Sequence, residues 1–375
     1  MCQDELADDG NVLTVWADGA GNILRGIAPS VTCAQSVMAD TTAAKAMKAK
    51  SVVTTIDRRL QHVCEKALEG AGEGGAAIVL NSDTGEILTW ASYPDFNPND
   101  IASYLGGDGD CLIDKVSQGT YAPGSVFKIV TAIAALESGV CDETQVFNCD
   151  GQITVEGVTL KCTAAEEEGH GELDMNQAMA CSCNCYFAQL GQLAGCGEIV
   201  KTAAKLGLGS QVLKDYPQEA SGNIPDEDEV GPWDTTNISI GQGAILTTPL
   251  QIARMTAIVA CGGRDVEPVL ETGQAGSPGR RIISEETAEK LDSMMQDVMT
   301  SGTGAGSWQV PVRGKTGTAE AVFEGRDVKN CWFTGYFDVG GETYVVTVVA
   351  ERGDSGSITA LPVFKAVVDF LSKNP

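Results

Sequence analysis

Histidine is nearly absent from this sequence. Only two occur among the 375 residues, His62 in a stretch with helical spacing and His170 in a glycine-flanked acidic segment. With so few histidines, a Ser-His-Asp catalytic triad is not expected. The H-E-x-x-H pattern of zinc proteases does not occur. The glycines at 302, 304 and 306 do not make a phosphate loop, because no strand leads into them and no Lys-Ser or Lys-Thr pair ends them.

Basic residues are also scarce. Lys and Arg total 25 against 51 Asp and Glu, which gives a formal net charge of −26. A surface this acidic repels nucleic acid and anionic lipid, so neither is expected as a partner. The hydrophobic content of 43% and the absence of low-complexity tracts indicate a globular chain.

Long apolar runs are missing as well. No stretch of 18 or more apolar residues occurs, so no membrane-spanning segment is expected. The first residues, Met1 to Glu5, lack the basic and apolar regions of a signal peptide. Either the protein is cytoplasmic or an anchor lies upstream of this sequence.

Cysteine, by contrast, is plentiful. There are 13, an odd number, so at least one has no partner within the chain. Cys149 and Cys162 flank a segment that predicts two short strands about a turn. A disulfide between them would staple that hairpin, whereas a reducing compartment would leave both as thiols. Cys181, Cys183 and Cys185 alternate as C-x-C-x-C, which is not the spacing of a zinc knuckle, and no metal site is predicted there.

The strongest signal is a polar pair at the start of an apolar helix. Pro123 and Gly124 interrupt the chain, and the run Ile129–Leu136 that follows is apolar almost all round, as in a helix buried at the centre of a domain. Ser125 and Lys128 are three residues apart and therefore share one face of its first turn.

This pair fits a serine nucleophile whose base is a lysine. A serine hydroxyl attacks poorly unless a neighbouring group removes its proton. Lys128 can do so only if its pKa is lowered, which burial and a second nearby cation would achieve. The helix N-terminus adds N–H groups that favour an oxyanion. The alternative is an ordinary buried helix with a lysine that extends to solvent, and S-x-x-K alone does not decide between them.

Hydrophobic periodicity predicts strands near both ends of the chain and helices between them. The predicted strands are Ala76–Asn81, Glu86–Ser92, Val310–Val322, Cys331–Val339 and Thr343–Arg352. Besides the helix after Ser125, helices are predicted from Asp57 to about Gly70 and over Asn176–Ala180, Tyr186–Leu193, Gly197–Leu206, Pro249–Val259, Ser284–Thr300 and Leu361–Leu371. We therefore expect an α/β (α+β) fold with an antiparallel five-stranded sheet, assembled from both ends of the chain and flanked by helices, and a largely helical inserted subdomain.

The first 50 residues differ from the rest. They contain a hairpin-like piece, Val12–Trp16 and Asn22–Leu24, followed by an Ala-, Thr- and Ser-rich stretch. We predict that residues 1–50 are the remnant of a preceding module with a linker and that residues 51–375 form one domain.

A second lysine triplet is predicted to lie on a strand. Lys315-Thr316-Gly317 is the only K-T-G in the chain. Strand alternation places the side chains of Thr316 and Thr318 on one face, and Gly317 permits the close approach of a substrate.

The S-x-N pattern occurs twice. Ser182-Cys183-Asn184 lies between two predicted helices, and Ser221-Gly222-Asn223 lies beside an acid-rich loop. We predict that the first copy belongs to the Ser125 site, because the apolar helix after it would hold it rigid.

In this order, S-x-x-K, S-x-N and K-T-G resemble the motifs of penicillin-binding proteins and serine β-lactamases. Further segments resemble the transpeptidase domain of class B penicillin-binding proteins, and the resemblance covers about residues 51–375. These segments are Thr55–Asp57 with Leu60-Gln61, Ala91–Pro94, Tyr121–Ser125, Ser239–Gly243, Thr248–Gln251, Gly302–Gly304, Gly314–Glu320 and Trp332–Gly335. The resemblance implies a β-lactamase/transpeptidase-like fold.

The resemblance also implies a role for each catalytic residue. Ser125 would attack the D-alanyl-D-alanine carbonyl of a peptidoglycan stem peptide and become acylated, as it would with a β-lactam. Lys128 would be the base for that step. Ser182 would relay the proton to the leaving amine, with Lys315 close by to depress the pKa values of the lysine and serine groups.

Substrate would be bound by the other motif residues. The resemblance implies that Asn184 hydrogen-bonds the substrate's amide side chain and that Thr316 and Thr318 hold its terminal carboxylate. Gly317 between them is also expected to be a substrate-binding residue. The backbone N–H groups of Ser125 and Thr318 would form the oxyanion hole. No cofactor and no metal are implied.

The expected setting follows from the same resemblance. It implies action at the extracytoplasmic face of the bacterial cell membrane on peptidoglycan stem peptides, with a membrane glycan polymerase as a further partner. The anchor and most of the non-catalytic module of that family are expected to be absent from this chain.

Three functions remain open at this point. A cross-linking D,D-transpeptidase, in which the amine of a second stem peptide resolves the acyl-enzyme, is favoured. A D,D-carboxypeptidase or β-lactamase-like hydrolase would use water and would need a carboxylate or modified lysine over the ester. Glu219 and Asn223 have an E-x-x-x-N spacing, but in a Pro- and acid-rich loop it is judged accidental. A β-lactam sensor would become acylated without turnover and would need a transmembrane signalling partner.

Overall fold

The protein is described from a computed structural model. The structure describes residues 11–14, 30–33, 53–105, 110–213, 216 and 218–374. Strand β1 (Asn11–Thr14) overlaps the predicted strand Val12–Trp16 and pairs antiparallel with β2 (Ser30–Cys33). The predicted strand Asn22–Leu24 lies outside the described residues.

Five antiparallel strands form the central sheet, in the order β4-β3-β11-β10-β9. They are β3 (Gly74–Asn81), β4 (Ile87–Tyr93), β9 (Val312–Phe323), β10 (Arg326–Val339) and β11 (Glu342–Glu351). The strands from the two ends of the domain meet where β3 pairs with β11. The predicted five-stranded sheet and the α/β class are therefore confirmed.

Helices cover both faces of this sheet. They are α1 (Arg58–Leu68), α2 (Lys128–Ser138), α3 (Met175–Ala180), α4 (Asn184–Ala194), α5 (Cys196–Lys205), α6 (Pro232–Ser239), α7 (Pro249–Ala260), α8 (Glu285–Thr300) and α9 (Leu361–Leu371). Helices α1 and α9 pack together over β4, β10 and β11, and α7 packs on β3, β10 and β11. Because it is covered on both sides, β3 is buried at every position and reads as a continuous run of small and apolar residues.

The helical subdomain lies between β4 and β9 in the chain. Its centre is α2, which is buried from Lys128 to Ala135 and contacts α4, α5 and α8. Gly139 ends α2 in the left-handed conformation, with φ of 70°. Helix α6 was not predicted, because its sequence, Pro232–Ser239, is polar and lacks an apolar stripe.

A small β-structured lobe interrupts the helices. Strand β5 (Phe147–Cys149) pairs with β8 (Gly171–Leu173), and between them β6 (Gln152–Val155) and β7 (Val158–Lys161) form the predicted hairpin. Of the two states left open for Cys149 and Cys162, the structure has the thiols, since both cysteines are free. Each sulfur instead lies 3.5 Å from Nδ1 of His170.

Within the described residues, none of the helices combines the length and the hydropathy needed to cross a bilayer.

Candidate active site

A 3₁₀ turn, Gly124–Phe127, carries Ser125 and leads directly into α2. The sequence predicted an α-helix here, but the tighter turn keeps the i, i+3 relation between Ser125 and Lys128. Gly124 has φ of 55°, and a Cβ atom there would lie 2.8 Å from the carbonyl oxygen of Thr318. Only glycine therefore allows the Ser125 turn to lie this close to strand β9.

Trp332 holds the chain that enters this turn. Its indole Nε1–H donates to the carbonyl oxygen of Ala122 at 2.9 Å, and its ring packs edge-on against Tyr121. Trp332 is fully buried in β10, directly behind the K-T-G strand. Two neighbouring strands, β9 and β10, therefore contact this turn and the residues that enter it.

Lys128 is completely buried beside this turn. Its ammonium donates to the carbonyl oxygen of Ser182 at 2.6 Å, to Ser182 Oγ at 3.2 Å and to Asn184 Oδ1 at 2.8 Å. The Phe187 ring lies 5.5 Å from Nζ. A buried amine with three acceptors and one aromatic face is held in a single position, so it does not extend to solvent as the alternative interpretation required.

Ser182 connects this lysine to the K-T-G triplet. Its hydroxyl accepts from Lys315 Nζ at 2.8 Å as well as from Lys128, and Lys315 is also fully buried. Ser182 has φ of 57°, a left-handed conformation that is uncommon for a residue with a side chain. Strain of this kind costs on the order of 1–3 kcal/mol and is concentrated at functional sites.

Burial changes the proton affinity of both lysines. It lowers the pKa of Lys128 to about 8, against an opposing attraction from nearby cysteine sulfurs. Burial, and then the charge of Lys128, lower the pKa of Lys315 well below its usual range. Both shifts favour uncharged amines, which is the form that can accept a proton.

The backbone of β9 presents groups that no neighbouring strand pairs toward the Ser125 turn, and one of them, the carbonyl oxygen of Thr316, accepts from Lys315 Nζ at 3.1 Å. Strand β9 lies at the edge of the sheet. At its C-terminal end a two-residue turn leads into β10, and Phe323 pairs with Arg326 across that turn. Along an antiparallel pair of strands, hydrogen-bonded residue pairs alternate with pairs that are not hydrogen-bonded. The pair next to a two-residue turn is hydrogen-bonded, so Thr316 and Thr318 fall in pairs that are not hydrogen-bonded to β10. Their N–H and C=O groups therefore point away from β10, toward the side on which Gly124 lies.

The hydroxyl groups of the two threonines are also held in place. Thr316 Oγ1 lies 2.6 Å from Thr303 Oγ1, and Thr318 Oγ1 accepts from the N–H of Gly356 at 3.2 Å. Thr303 belongs to the G-T-G segment noted in the sequence. Thr316 is buried and Thr318 is partly exposed.

The structure thus brings together most of the predicted site residues. Lys128, Ser182, Asn184 and Lys315 share one hydrogen-bonded cluster. Ser125 lies on the adjoining turn, and its hydroxyl makes no hydrogen bond to another side chain in the described part of the chain.

The competing residues lie elsewhere. Asn223 of the second S-x-N donates to the carbonyl oxygen of Ala244, and no hydrogen bond joins it to either lysine within the described residues. The Glu219 carboxylate is engaged by the backbone N–H groups of Val212 and Leu213, at 2.7 and 2.8 Å. It caps a loop, which agrees with the expectation that its spacing is accidental.

Sequence reasoning missed one group of residues beside the site. Cys149, Cys162, His170 and Cys183 place their sulfur and nitrogen atoms within 4.8 Å of one another. These residues could hold a metal ion, and Cys183 is the middle residue of the S-x-N. The sequence does hint at this cluster, because three cysteines and one of only two histidines lie in one short part of the chain.

Comparison with known proteins gives one family. Residues 75–369 match the family described as the penicillin-binding protein transpeptidase domain. The peptidoglycan D,D-transpeptidase MrdA of Acinetobacter baumannii is 30% identical over 367 residues, covering 86% of this chain and 54% of that protein. Stage V sporulation protein D of Bacillus subtilis is 30% identical over 325 residues, covering 81% of this chain and 50% of that protein.

A solved structure gives the same answer. The ceftriaxone acyl-enzyme complex of penicillin-binding protein A from Mycobacterium tuberculosis superposes with a TM-score of 0.75 at 27% identity, covering 85% of this chain and 79% of that chain. The chain spans about half the length of the curated relatives named above.

Proposed function

Because the chain belongs to the family of penicillin-binding protein transpeptidase domains, we propose that it is a serine D,D-transpeptidase that cross-links peptidoglycan stem peptides. The observation that carries this proposal is the convergence of Lys128 and Lys315 on the hydroxyl of Ser182, beside the Ser125 turn. β-Lactams would acylate the same serine, as the ceftriaxone complex of its relative indicates.

The first half-reaction forms an ester. Ser125 Oγ attacks the carbonyl carbon of the penultimate D-alanine, and its proton passes to uncharged Lys128. The bond from that carbon to the nitrogen of the terminal D-alanine then breaks. The leaving nitrogen takes up a proton through Ser182, so free D-alanine departs and the donor peptide stays on Ser125.

The second half-reaction reverses these roles. The amine of an acceptor stem peptide attacks the ester carbonyl, a new amide bond forms and the bond to Ser125 Oγ breaks. The proton lost by the amine returns to Ser125 through the same lysine and serine groups. No net proton or electron is consumed.

Strand β9 supplies binding and charge stabilisation in this proposal. The outward N–H of Thr318 and the N–H of Ser125 would donate to the developing oxyanion, and each such donor contributes about 2.7–4 kcal/mol in other acyl-transfer enzymes. Thr316 and Thr318 would bind the terminal carboxylate, with Gly317 allowing close approach. Asn184 would bind the peptide's amide side chain through the part of its own amide that Lys128 and Lys161 leave free.

The setting is part of the proposal. Cross-linking takes place outside the cytoplasmic membrane, so we place the domain at the extracytoplasmic face, where a membrane glycan polymerase would be its partner.

The test is acylation followed by transfer. A fluorescent penicillin should label the chain covalently at Ser125, and Ser125→Ala should remove the label. A D-Ala-D-Ala pentapeptide with an added D-amino acid should yield the exchanged peptide. Ser182→Ala should slow both reactions, whereas Ser221→Ala, the matched change in the second S-x-N, should not.

Two outcomes would contradict the proposal. Labelling that persists in Ser125→Ala would place the nucleophile elsewhere. Labelling that clears within seconds in buffer, or a pentapeptide that is only trimmed when acceptor is present, would identify a hydrolase instead.

A further inference from the structure

The hydroxyl of Thr316 meets a second hydroxyl from outside the K-T-G strand. Thr303 follows α8 in the chain, and its Oγ1 lies 2.6 Å from Thr316 Oγ1. Thr316 is buried, whereas Thr303 is exposed. A short contact between two hydroxyls is a hydrogen bond in which one of them must donate and the other must accept.

A bound carboxylate would decide the direction of this bond. A hydroxyl group has a single hydrogen, and an ionised carboxylate can only accept. If Thr316 binds the terminal carboxylate of a substrate, its hydrogen must point at that carboxylate. The oxygen of Thr316 can then only accept from Thr303, so Thr303 becomes the donor.

The backbone around Thr303 is fixed by hydrogen bonds on both sides. The N–H of Thr303 donates to the carbonyl oxygen of Ala180 at 3.1 Å, and the N–H of Gly304 donates to that of Val298 at 3.0 Å. The hydroxyl of Thr303 is therefore presented to β9 from a rigid support, which is what a group that orients a binding residue requires.

Thr318 is oriented in a comparable way. Its Oγ1 accepts from the N–H of Gly356 at 3.2 Å. A Cβ atom at position 356 would collide with the carbonyl oxygens of Gly317 and Trp332, so only glycine brings this N–H so close to the strand. Because a backbone N–H can only donate, the hydroxyl of Thr318 keeps its own hydrogen for a ligand.

The lysine of the same triplet is engaged elsewhere. Lys315 Nζ donates to Ser182 Oγ at 2.8 Å and to the carbonyl oxygen of Thr316 at 3.1 Å. An uncharged amine has two N–H groups, and these two acceptors use both. Recognition of a carboxylate then depends on the hydroxyls of the two threonines.

We propose that Thr303 is a positioning residue for carboxylate recognition: its hydroxyl donates to Thr316 Oγ1 and so directs the hydrogen of Thr316 to the terminal carboxylate of the substrate. A hydroxyl that accepts one hydrogen bond also donates a stronger one, so Thr303 strengthens the contact that it orients. This inference rests on the proposed function and extends it to selectivity for an anionic terminus over an ester or an amide.

The test compares two acylating reagents that differ only in charge, penicillin G and its methyl ester. Thr303→Val replaces the hydroxyl by a methyl group of similar shape. We expect the second-order rate constant for penicillin G to fall about five- to tenfold, the usual contribution of one hydrogen bond, and that for the ester to stay within about twofold. Thr303→Ser, which keeps the hydroxyl, should restore the rate with penicillin G.

A double-mutant cycle shows whether Thr303 acts through Thr316. In a Thr316→Val background the further change Thr303→Val should have no additional effect on either reagent. Thr154→Val is the matched control, because Thr154 and Thr159 form an exposed pair of hydroxyls 3.0 Å apart on the β6–β7 hairpin. It should acylate normally with both reagents.

Three outcomes would overturn the inference while leaving the proposed function standing. They are an unchanged rate with penicillin G in Thr303→Val, an equal loss with penicillin G and its ester, and a loss of the same size in the Thr316→Val background. The last would mean that Thr303 contacts the carboxylate itself. Failure of penicillin G to label Ser125 in the unmodified chain would instead overturn the proposed function, and this inference with it.

Discussion

Lys315 donates a 2.8 Å hydrogen bond to the hydroxyl of Ser182, although the two residues are 133 positions apart in the chain. The same hydroxyl oxygen accepts from Lys128 at 3.2 Å, so two amines face one atom. Two charged ammonium groups this close in a buried site would repel each other, and burial disfavours both charges. We therefore expect at least one of the two lysines to be uncharged. A neutral amine can take a proton from serine.

Removal of the second lysine tests this arrangement. Lys315→Met keeps the volume of the side chain but leaves Ser182 with Lys128 alone. We expect penicillin acylation to slow about 10²- to 10⁴-fold, the usual contribution of a proton-transfer group, with the melting temperature unchanged or raised. Lys201→Met, at an exposed site on α5, is the control. Acylation at the normal rate in Lys315→Met would remove this lysine from the proton pathway.

The pH dependence of acylation follows from Lys128. Its pKa is lowered by burial to about 8, so the neutral base is the minor form below that pH and the major form above it. The second-order rate constant for penicillin should rise about tenfold per pH unit below pH 8 and level off above it. Rates measured from pH 6 to pH 9.5 check this, and a flat profile across pH 8 would contradict a base with this pKa.

Gly124 permits the contact between the Ser125 turn and β9. In Gly124→Ala the new Cβ atom would meet Thr318 at 2.8 Å in a backbone conformation with φ of 55°. We expect the free energy of unfolding to fall by about 1–3 kcal/mol and acylation to slow, because the turn must shift away from the strand.

Gly139→Ala provides the matched control. Its φ is 70°, but no atom lies within 4 Å of the added Cβ. It should lose about 1 kcal/mol from backbone conformation alone and acylate normally. Equal acylation by the two variants would show that the approach of Gly124 to β9 does not position Ser125.

A buried ion pair anchors the segment that precedes Ser125. Glu351 accepts from Tyr121 at 2.7 Å and from Lys115 at 2.9 Å, and Lys115 is 1% exposed. Glu351→Ala removes both interactions and leaves Lys115 with Asp110, so we expect a loss of about 3 kcal/mol in chemical unfolding.

The control for that change is an exposed pair. Glu198→Ala breaks the surface bridge to Lys201 and should cost less than about 1 kcal/mol. A similar small effect for Glu351→Ala would mean that Asp110 alone satisfies Lys115.

The sheet and most helices were predictable because their signals are local. Thr248, Pro249 and Gln251 mark the start of α7, and the structure shows their capping box. The sequence also allowed Ser182-Cys183-Asn184 to be preferred over the second S-x-N copy, because an apolar helix directly follows only the first copy.

Other features depend on contacts that no local pattern encodes. The sequence does not show that Ser182 adopts a left-handed conformation, because the lysines that hold it come from α2 and β9. Likewise the spacing of Cys149, Cys162 and His170 has no recognised pattern. Their sulfur and nitrogen atoms meet only because β5 pairs with β8 around the β6–β7 hairpin.

The position of β9 at the edge of the sheet has a consequence for how a peptide substrate is recognised. A peptide lying in extended form along Thr316 and Thr318 would pair main chain to main chain and act as a temporary sixth strand. Its amides would then matter more than its side chains. An N-methylated donor peptide should lose far more kcat/KM than one with an altered side chain, whereas equal losses would argue against strand addition.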